Sequence, residues 1–366
     1  MRALCIGSAV VDTIVLVADR NVERMTMHNA TSSFLLLEQG VKIDTESITS
    51  HIGGGAVNAG VSMARLGIDV TALIKIGNDH SGEKVLACLT RENVRQTHVL
   101  KTDELSTGTS VMVSSHDRNA TIFTQRGTNT LLLAEDVAQN KFSGFDLVYV
   151  TNLSNRSADC FPLIVDAGHA QGAFIAVNPG IRQLTSRASP FLNSLAKINL
   201  LAVNRVEAES LVPALIARAQ SDAVGSLHHS VSGDEPRLMR LGLSFGGFDM
   251  ELMDFFREIR KTGVGRVLVT DGIEGSYLAD EQGVHHCPAL RIEPKGTAGA
   301  GDAFISTLSG FIAMEEAASL ALRAAAVNAA GVVSEIDTQS GLMRRDDLDA
   351  AISGNLAALP ITTWAW

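Results

Sequence analysis

Six short apolar runs, each stopping at a glycine or a polar residue, constrain this chain more than any other feature. They are ALCIGS (3–8), VTALIKIG (70–77), FDLVYVTN (145–152), AFIAVNPG (173–180), INLLAVN (198–204) and RVLVTDG (266–272). Apolar and polar residues do not alternate in them, so both faces of each strand must be covered, as in a parallel sheet. Helix-like stretches lie between many of them, among them AVNAGVSMARLG (56–67) and GEKVLACLTRENV (82–94). Strand and helix in turn predict an α/β fold, a doubly wound, mainly parallel sheet flanked by helices. Ligands of such sheets bind beyond the carboxyl ends of the strands. Asn152, Asn178, Asn204 and Asp271 fall at such ends.

The 366 residues allow two or three units, or one large α/β domain with an attached subdomain. The formal charge is −10 and no basic run is present, which argues against a nucleic-acid partner. An anionic substrate stays compatible with that balance, because a site can be locally positive. Cys5, Cys88, Cys160 and Cys287 lie far apart with no C-x-x-C pair. That spacing speaks against a zinc or redox motif and fits a reduced, cytoplasmic setting. The opening MRALCIGSAVVDTIVLV resembles a signal peptide in hydrophobicity, but Asp12 interrupts it and no apolar segment reaches membrane length. It reads as an opening β-strand, with no membrane partner.

Two regions break the alternation. Residues 13–52 contain the strand-like SSFLLLEQGVKI, and 107–126 (TGTSVMVSSHDRNATIFTQR) read as a hairpin turning near Asp117–Asn119. Together they are expected to form a small β-sheet lid on a core built from 1–12, 53–106 and 127–366. The segment 218–247 is rich in Gly, Ser and charge where about 20 residues suffice for a crossover, so it reads as a partly flexible insertion within the core.

The stretch KGTAGAGDAF (295–304) sets glycines beside an aspartate. Glycines 296, 299 and 301 miss the G-x-G-x-x-G spacing, and Asp302 and Ala303 stand where a P-loop needs Lys and Ser/Thr. A plain tight turn before a packed helix is one account of it. The helix that follows has apolar residues at 304, 305, 308, 311 and 312, one buried face. Its N-terminus favours negative charge and keeps Asp302 ionised. A carboxylate beside a phosphate site can accept the proton of an attacking hydroxyl, while the N–H groups of Gly299, Ala300 and Gly301 bind the charge on the transferred phosphoryl group.

GTAGAGDAF resembles the second signature of the ribokinase/PfkB family of sugar and nucleoside kinases, D-T-x-G-A-G-D. GGGAVNAGVSMARLGIDVTALIKIG (53–77) resembles the first, and IGNDHSG (76–82), NRVE (204–207) and VTDGIEG (269–275) follow in the family's order. The resemblance covers roughly residues 1–350. It implies a ribokinase-like core with a β-sheet lid, ATP, Mg²⁺ and a hydroxyl acceptor. Asp302 matches the family base, and Gly299, Ala300 and Gly301 the anion hole. Asp12, Gly54, Gly55 and Asn58 match acceptor-binding positions. Asn204, Thr270, Gly272 and Gly275 match the nucleotide side, and Glu207 matches a residue that acts on Mg²⁺ through water. Asn328, in RAAAVNAAGVV, faces the adenine pocket or bonds locally.

Three positions depart from the family pattern. Gly296 replaces the aspartate of the second signature, so little dependence on K⁺ is expected. Gly60 stands where Ser, Thr or Ala is usual. GGGAVN lacks the lysine of ribokinase itself (G-G-K-G-A-N), which argues against ribose. The function that follows is ATP-dependent phosphorylation of a sugar hydroxyl, a primary one being expected. A nucleoside (adenosine-type) kinase is the alternative, since glycine in place of that lysine suits a base pocket. A catalytically weak sugar sensor is a third, against which Asp302 and its glycines speak.

Simpler roles stand beside these. Asp12, ending a strand, fits a turn carboxylate. Asn58 fits a helix cap, and Asn204 with Glu207 fits a capping box. The neighbouring pairs His228–His229 and His285–His286 diverge on any regular element, so no metal site is expected there. The apolar SSFLLLEQGVKI predicts a lid-to-lid homodimer.

Overall fold

The structure is a computed structural model that describes residues 1–18, 23–26, 33–36, 39–114, 120–219 and 235–366. All six apolar runs enter one nine-stranded sheet. Its order is Thr362–Trp364, Val284–Cys287, Ser276–Ala279, Arg266–Thr270, Leu200–Asn204, Phe174–Val177, Leu147–Val150, Arg2–Ile6, Asp69–Leu73. The six strands from Arg266–Thr270 to Asp69–Leu73 pair in parallel. The remaining three add antiparallel pairs at one edge.

Burial explains why these runs do not alternate. Leu4, Ile6, Val148, Val150, Leu201 and Val203 pack into one hydrophobic cluster. Their neighbours Ala3, Cys5, Leu147, Tyr149, Leu200 and Ala202 pack into another. Each strand thus feeds a core on both faces, and successive residues go to opposite sides. Helices cover both. Leu252–Arg260 buries Leu252, Phe255, Phe256 and Ile259, the spacing of one helical face. Gly55–Arg65, Ala300–Ala313 and Ala318–Val333 close the other side.

A second, four-stranded sheet stands apart, in the order Ala120–Gln125, Gly108–Ser114, Val10–Val17, Thr45–Gly53. Val10–Val17 runs parallel to Gly108–Ser114 and antiparallel to Thr45–Gly53. Asp12 is therefore inside a strand of this sheet and does not end one, because the first strand stops at Ile6. Ser33–Leu36, from SSFLLLEQGVKI, pairs with Glu23–Thr26 in a separate two-stranded ribbon. The expected hairpin between Gly108–Ser114 and Ala120–Gln125 pairs in register, and its turn, 115–119, lies outside the described residues.

Residues 220–234 of the expected insertion, with His228–His229, also lie outside them. The described remainder is packed. The helix Arg237–Leu241 and the hairpin Leu243–Phe245/Phe248–Met250 bury Leu238 and Leu243 in the main core. Leu238 N–H donates to the buried Tyr277 hydroxyl at 3.1 Å. Apolar residues hidden among the charges of 235–247 override its loop-like composition. Among the described residues no helix is long and apolar enough to cross a membrane.

Candidate active site

The site begins where the first strand ends. Gly54 adopts φ 95°, and a Cβ on it would come within 2.6 Å of the Ser8 carbonyl. Only glycine permits both the conformation and the approach. Gly55 N–H then donates to Ser8 Oγ at 3.0 Å and Ala56 N–H to the Ser8 carbonyl at 3.2 Å, fixing the start of Gly55–Arg65. A Cβ on Gly53 would collide with the Asp12 carboxylate, which lies over that residue.

Asp12 sits between His51 and Ser110 on the two flanking strands. Ser110 Oγ donates to Asp12 Oδ1. Burial pushes the Asp12 carboxyl above its ordinary range, against the Ser110 hydrogen bond and the His51 charge. His51 Nδ1 lies 3.8 Å from Asp337 Oδ2.

Asp302 lies in the first turn of Ala300–Ala313. Its N-cap, Gly299, is left-handed with φ 80°, and no side chain caps the helix. A Cβ on Gly299 would meet Thr338 Cβ at 2.7 Å. A Cβ on Gly301 would meet nothing within 4 Å. The first-turn N–H groups are thus left open to an anion. Asn58 Nδ2 donates to Asp302 Oδ2 at 2.9 Å. Asn58 Oδ1 in turn accepts from Thr338 Oγ1 at 3.0 Å and Gln339 Nε2 at 3.1 Å. Those two donors settle which way the amide points, so its NH₂ must face the carboxylate. Burial raises the Asp302 carboxyl above its ordinary range, the Asn58 hydrogen bond opposes this, and the charge of Asp12 adds to it.

Asn58 does not cap its helix. It is a turn inside, 3% exposed, and Gly54 occupies the cap position. Thr338, Gln339, Ser110 and His51 were not singled out from the sequence. The polar run DTQS (337–340), ending at a glycine between two helices, was the available signal for the first two.

On the far side, Asn204 ends its strand in register with Thr270. Asn204 and Glu207 form a reciprocal capping box. Glu207 N–H donates to Asn204 Oδ1 and Asn204 N–H to Glu207 Oε2, both at 2.9 Å. Burial pushes the Glu207 carboxyl up to about 7 despite these bonds. Gly272 (φ 58°) and Gly275 (φ 100°) bracket the turn after Thr270, and Ile273 at its tip is 90% exposed. Asp271 is anchored by Arg205 at 3.0 Å and Arg237 at 3.6 Å.

Asn328 answers its open choice in favour of local bonding. It is fully buried; Nδ2 donates to Thr307 Oγ1 at 2.8 Å and Oδ1 accepts from Met343 N–H at 2.9 Å. Each end of its amide makes a hydrogen bond inside the fold. His285 and His286 diverge on their strand. One reaches Asp280 at 3.1 Å and Thr363, the other the Glu274 carbonyl at 3.2 Å.

The doubly wound sheet thus carries an uncapped helix N-terminus beside Asp302. The pfkB family carbohydrate kinase profile matches residues 4–242 and 249–345, and the chain belongs to that family. The ribokinase of Staphylococcus aureus (strain COL) is 23% identical over 297 residues, covering 80% of this chain and 83% of that protein. An Escherichia coli protein assigned as a ribokinase II, in complex with ATP and Mg²⁺, superimposes with a TM-score of 0.72 at 15% identity, over 96% of this chain and 99% of that one. The nucleoside kinase of Burkholderia thailandensis, in complex with inosine, gives a TM-score of 0.71 at 15% identity, over 98% and 100%. The ribokinase-like fold follows from these likenesses.

Proposed function

We propose that this chain is an ATP-dependent kinase that phosphorylates a hydroxyl of a small sugar, with Asp302 as general base. The observation that carries the proposal is the placement of Asp302. It lies at the uncapped N-terminus of Ala300–Ala313, bonded to Asn58 and close enough to Asp12 to feel its charge.

Asp12, with the backbone of Gly54 and Gly55, binds acceptor hydroxyls. Asp302 takes the proton of the hydroxyl that attacks. That oxygen forms its bond to the γ-phosphorus as the bond to the ADP oxygen breaks. The N–H groups of Gly299, Ala300 and Gly301 meet the charge on the transferred group. A raised carboxyl is a stronger base, and the Asn58 hydrogen bond favours its ionised form.

The residues present fit ATP and Mg²⁺. The first-turn N–H groups have no other partner side chain, and Thr270, Gly272, Gly275 and Asn204 line the neighbouring strand ends. Mg²⁺ on the nucleotide's phosphates supplies charge neutralisation there. Glu207 acts on it through water, which suits a carboxylate whose own charge is penalised by burial. The four-stranded sheet serves as the lid over the acceptor, since it supplies Asp12. Its outer face supports a lid-to-lid homodimer. Ile48 (64% exposed), Val111 (39%) and Phe123 (61%) share the face opposite Asp12.

The test is a kinase screen over sugars and nucleosides with Mg-ATP, wild type beside Asp302→Asn. Acceptor-dependent ADP release in the wild type, lost in the variant, supports the proposal. ATP turnover unaffected by the substitution overturns it.

A further inference from the structure

Two buried side-chain amides stand in series between the four-stranded sheet and Asp302. Gln339 Nε2 donates to the Ile52 carbonyl at 2.9 Å and to Asn58 Oδ1 at 3.1 Å. Asn58 Nδ2 donates in turn to Asp302 Oδ2 at 2.9 Å. The other end of Gln339, Oε1, accepts from Cys88 Sγ at 3.4 Å. Ile52 lies on Thr45–Gly53 next to His51, which stands opposite Asp12.

The segment that carries Gln339 is held from behind. Arg65 Nη1 donates to the Gln339 carbonyl at 2.8 Å and to the Leu342 carbonyl at 2.7 Å. Its Nε and Nη2 grip the Glu92 carboxylate at 2.9 and 3.0 Å. The N–H groups of Gln339 and Ser340 both donate to Asp337 Oδ1 at 2.8 Å. The Gln339 side chain therefore starts from a fixed backbone.

These contacts dictate which way each amide faces. A backbone carbonyl only accepts, so Ile52 obliges Gln339 to present its NH₂. That NH₂ obliges Asn58 to present Oδ1, which leaves the Asn58 NH₂ for Asp302. Thr338 Oγ1 also donates to Asn58 Oδ1, at 3.0 Å. A hydroxyl can donate or accept, so it would follow Asn58 in either orientation. Gln339 is the neighbour that imposes a direction.

We propose that Gln339 is a positioning residue for the base, fixing Asn58 so that it serves only the ionised carboxylate of Asp302. This rests on the kinase reading above and adds how its base is kept ready. Without Gln339, Asn58 could turn its oxygen to accept from a protonated Asp302. A partner that bonds to both forms no longer favours the charged one.

The experiment titrates Asp302 directly, by ¹³C NMR of the carboxyl groups in protein labelled at aspartate. The Asp302 signal is assigned by its absence from Asp302→Asn. In Gln339→Met, which keeps the length and adds no charge, Asp302 should titrate about 0.5–1 pH unit higher than in wild type. Asn58→Leu should raise it too, and Gln339→Met should add nothing in that background, because it acts through Asn58. Cys88→Ala removes the partner at the other end of Gln339 and should leave the titration where it was. With an acceptor that is phosphorylated, the acid limb of kcat should move up with the titration in Gln339→Met, while plateau kcat and the KM for ATP stay within about twofold. An unmoved Asp302 titration in Gln339→Met, or an equal rise with and without Asn58, would overturn the inference and leave the kinase reading intact. If no acceptor is phosphorylated, the kinase reading fails and the titration alone decides this one. Should Gln339→Met not fold, Gln339→Asn, whose amide is one methylene too short to reach both oxygens, takes its place with the same expectation.

Discussion

The nine-stranded sheet and the four-stranded sheet are built from similar residues and obey different constraints. In the first, Leu4, Cys5, Val148, Tyr149, Leu201 and Val203 are all fully covered, with helices on both faces. In the second, Ile48, Ile122 and Phe123 are each more than half exposed. The large sheet holds its strand ends still, and these ends carry Asn204, Thr270 and the loop to Asp302. The small sheet meets the helix His80–Arg91 along Val10–Val17 and Thr45–Gly53, and it carries Asp12. One half of the site is thus fixed by packing. The other half rides on a sheet that leaves Ile48 and Phe123 bare, where the proposed lid would take a partner.

The largest expected effect breaks the chemistry at the rigid half. Asp302→Asn keeps size and helix start but takes no proton at neutral pH, so turnover with saturating acceptor should fall by about 10² to 10⁴. ATP affinity should hold or rise slightly, since a negative charge near the phosphates is removed. A variant keeping more than about a tenth of wild-type turnover removes Asp302 from the mechanism.

Next in size are two phenylalanines, one from each sheet's surroundings. Phe311 is fully buried against the large sheet, and Phe311→Ala should cost about 3–5 kcal/mol in urea unfolding. Phe123 is 61% exposed, and Phe123→Ser should change stability by no more than about 0.5 kcal/mol. That substitution should instead shift the light-scattering mass toward a monomer. A large stability loss from it would mean that the outer face is part of the core.

A smaller effect reads the coupling between the two halves. Asp12→Asn removes a charge that raises Asp302, so the acid limb of the kcat–pH profile should move to lower pH. An unmoved limb would show the carboxylates to be independent. Glu207 offers a pH test of stability. Its carboxyl stands at about 7 in the fold against 4.5 ordinarily. The protonated form is the one the fold favours, so its contribution is present below 4.5 and lost as pH rises through about 7. Urea midpoints should fall between pH 5 and 8 in wild type and fall less in Glu207→Gln, which keeps an oxygen for the Asn204 N–H.

The smallest expected effect concerns K⁺. Gly296 has no carboxylate, and a Cβ there would sit 3.0 Å from the Glu335 carbonyl and 3.2 Å from that of Ile336. Exchange of Na⁺ for K⁺ at constant ionic strength should change turnover by about twofold or less, since hard cations need more oxygen donors than remain. Strong activation would show that backbone carbonyls suffice.

Legibility followed the range of the forces involved. The six core strands were readable because each is apolar on both faces, a property of a few consecutive residues. The turn before Ala300–Ala313 was readable because its conformation demands glycine at Gly299. The strands of the small sheet were read less well. Asp12 was placed at a strand end and lies within one, because partial burial on one face leaves a weak pattern. Leu238 and Leu243 were hidden in a polar stretch, and only their contacts around Tyr277 revealed them.

By itself the sequence determined the α/β alternation, the glycine loop with its aspartate, and the strand ends that gather the site. These depend on neighbours along the chain. Only the tertiary structure decided that Asn58 serves Asp302 instead of a helix end, that Thr338 and Gln339 orient it, and that Asn328 is spent inside the core. Those choices join residues hundreds of positions apart: 244 separate Asn58 from Asp302 and 281 separate Asn58 from Gln339. An amide has one NH₂ and one oxygen, and which partner each meets is fixed by packing that brings distant segments together.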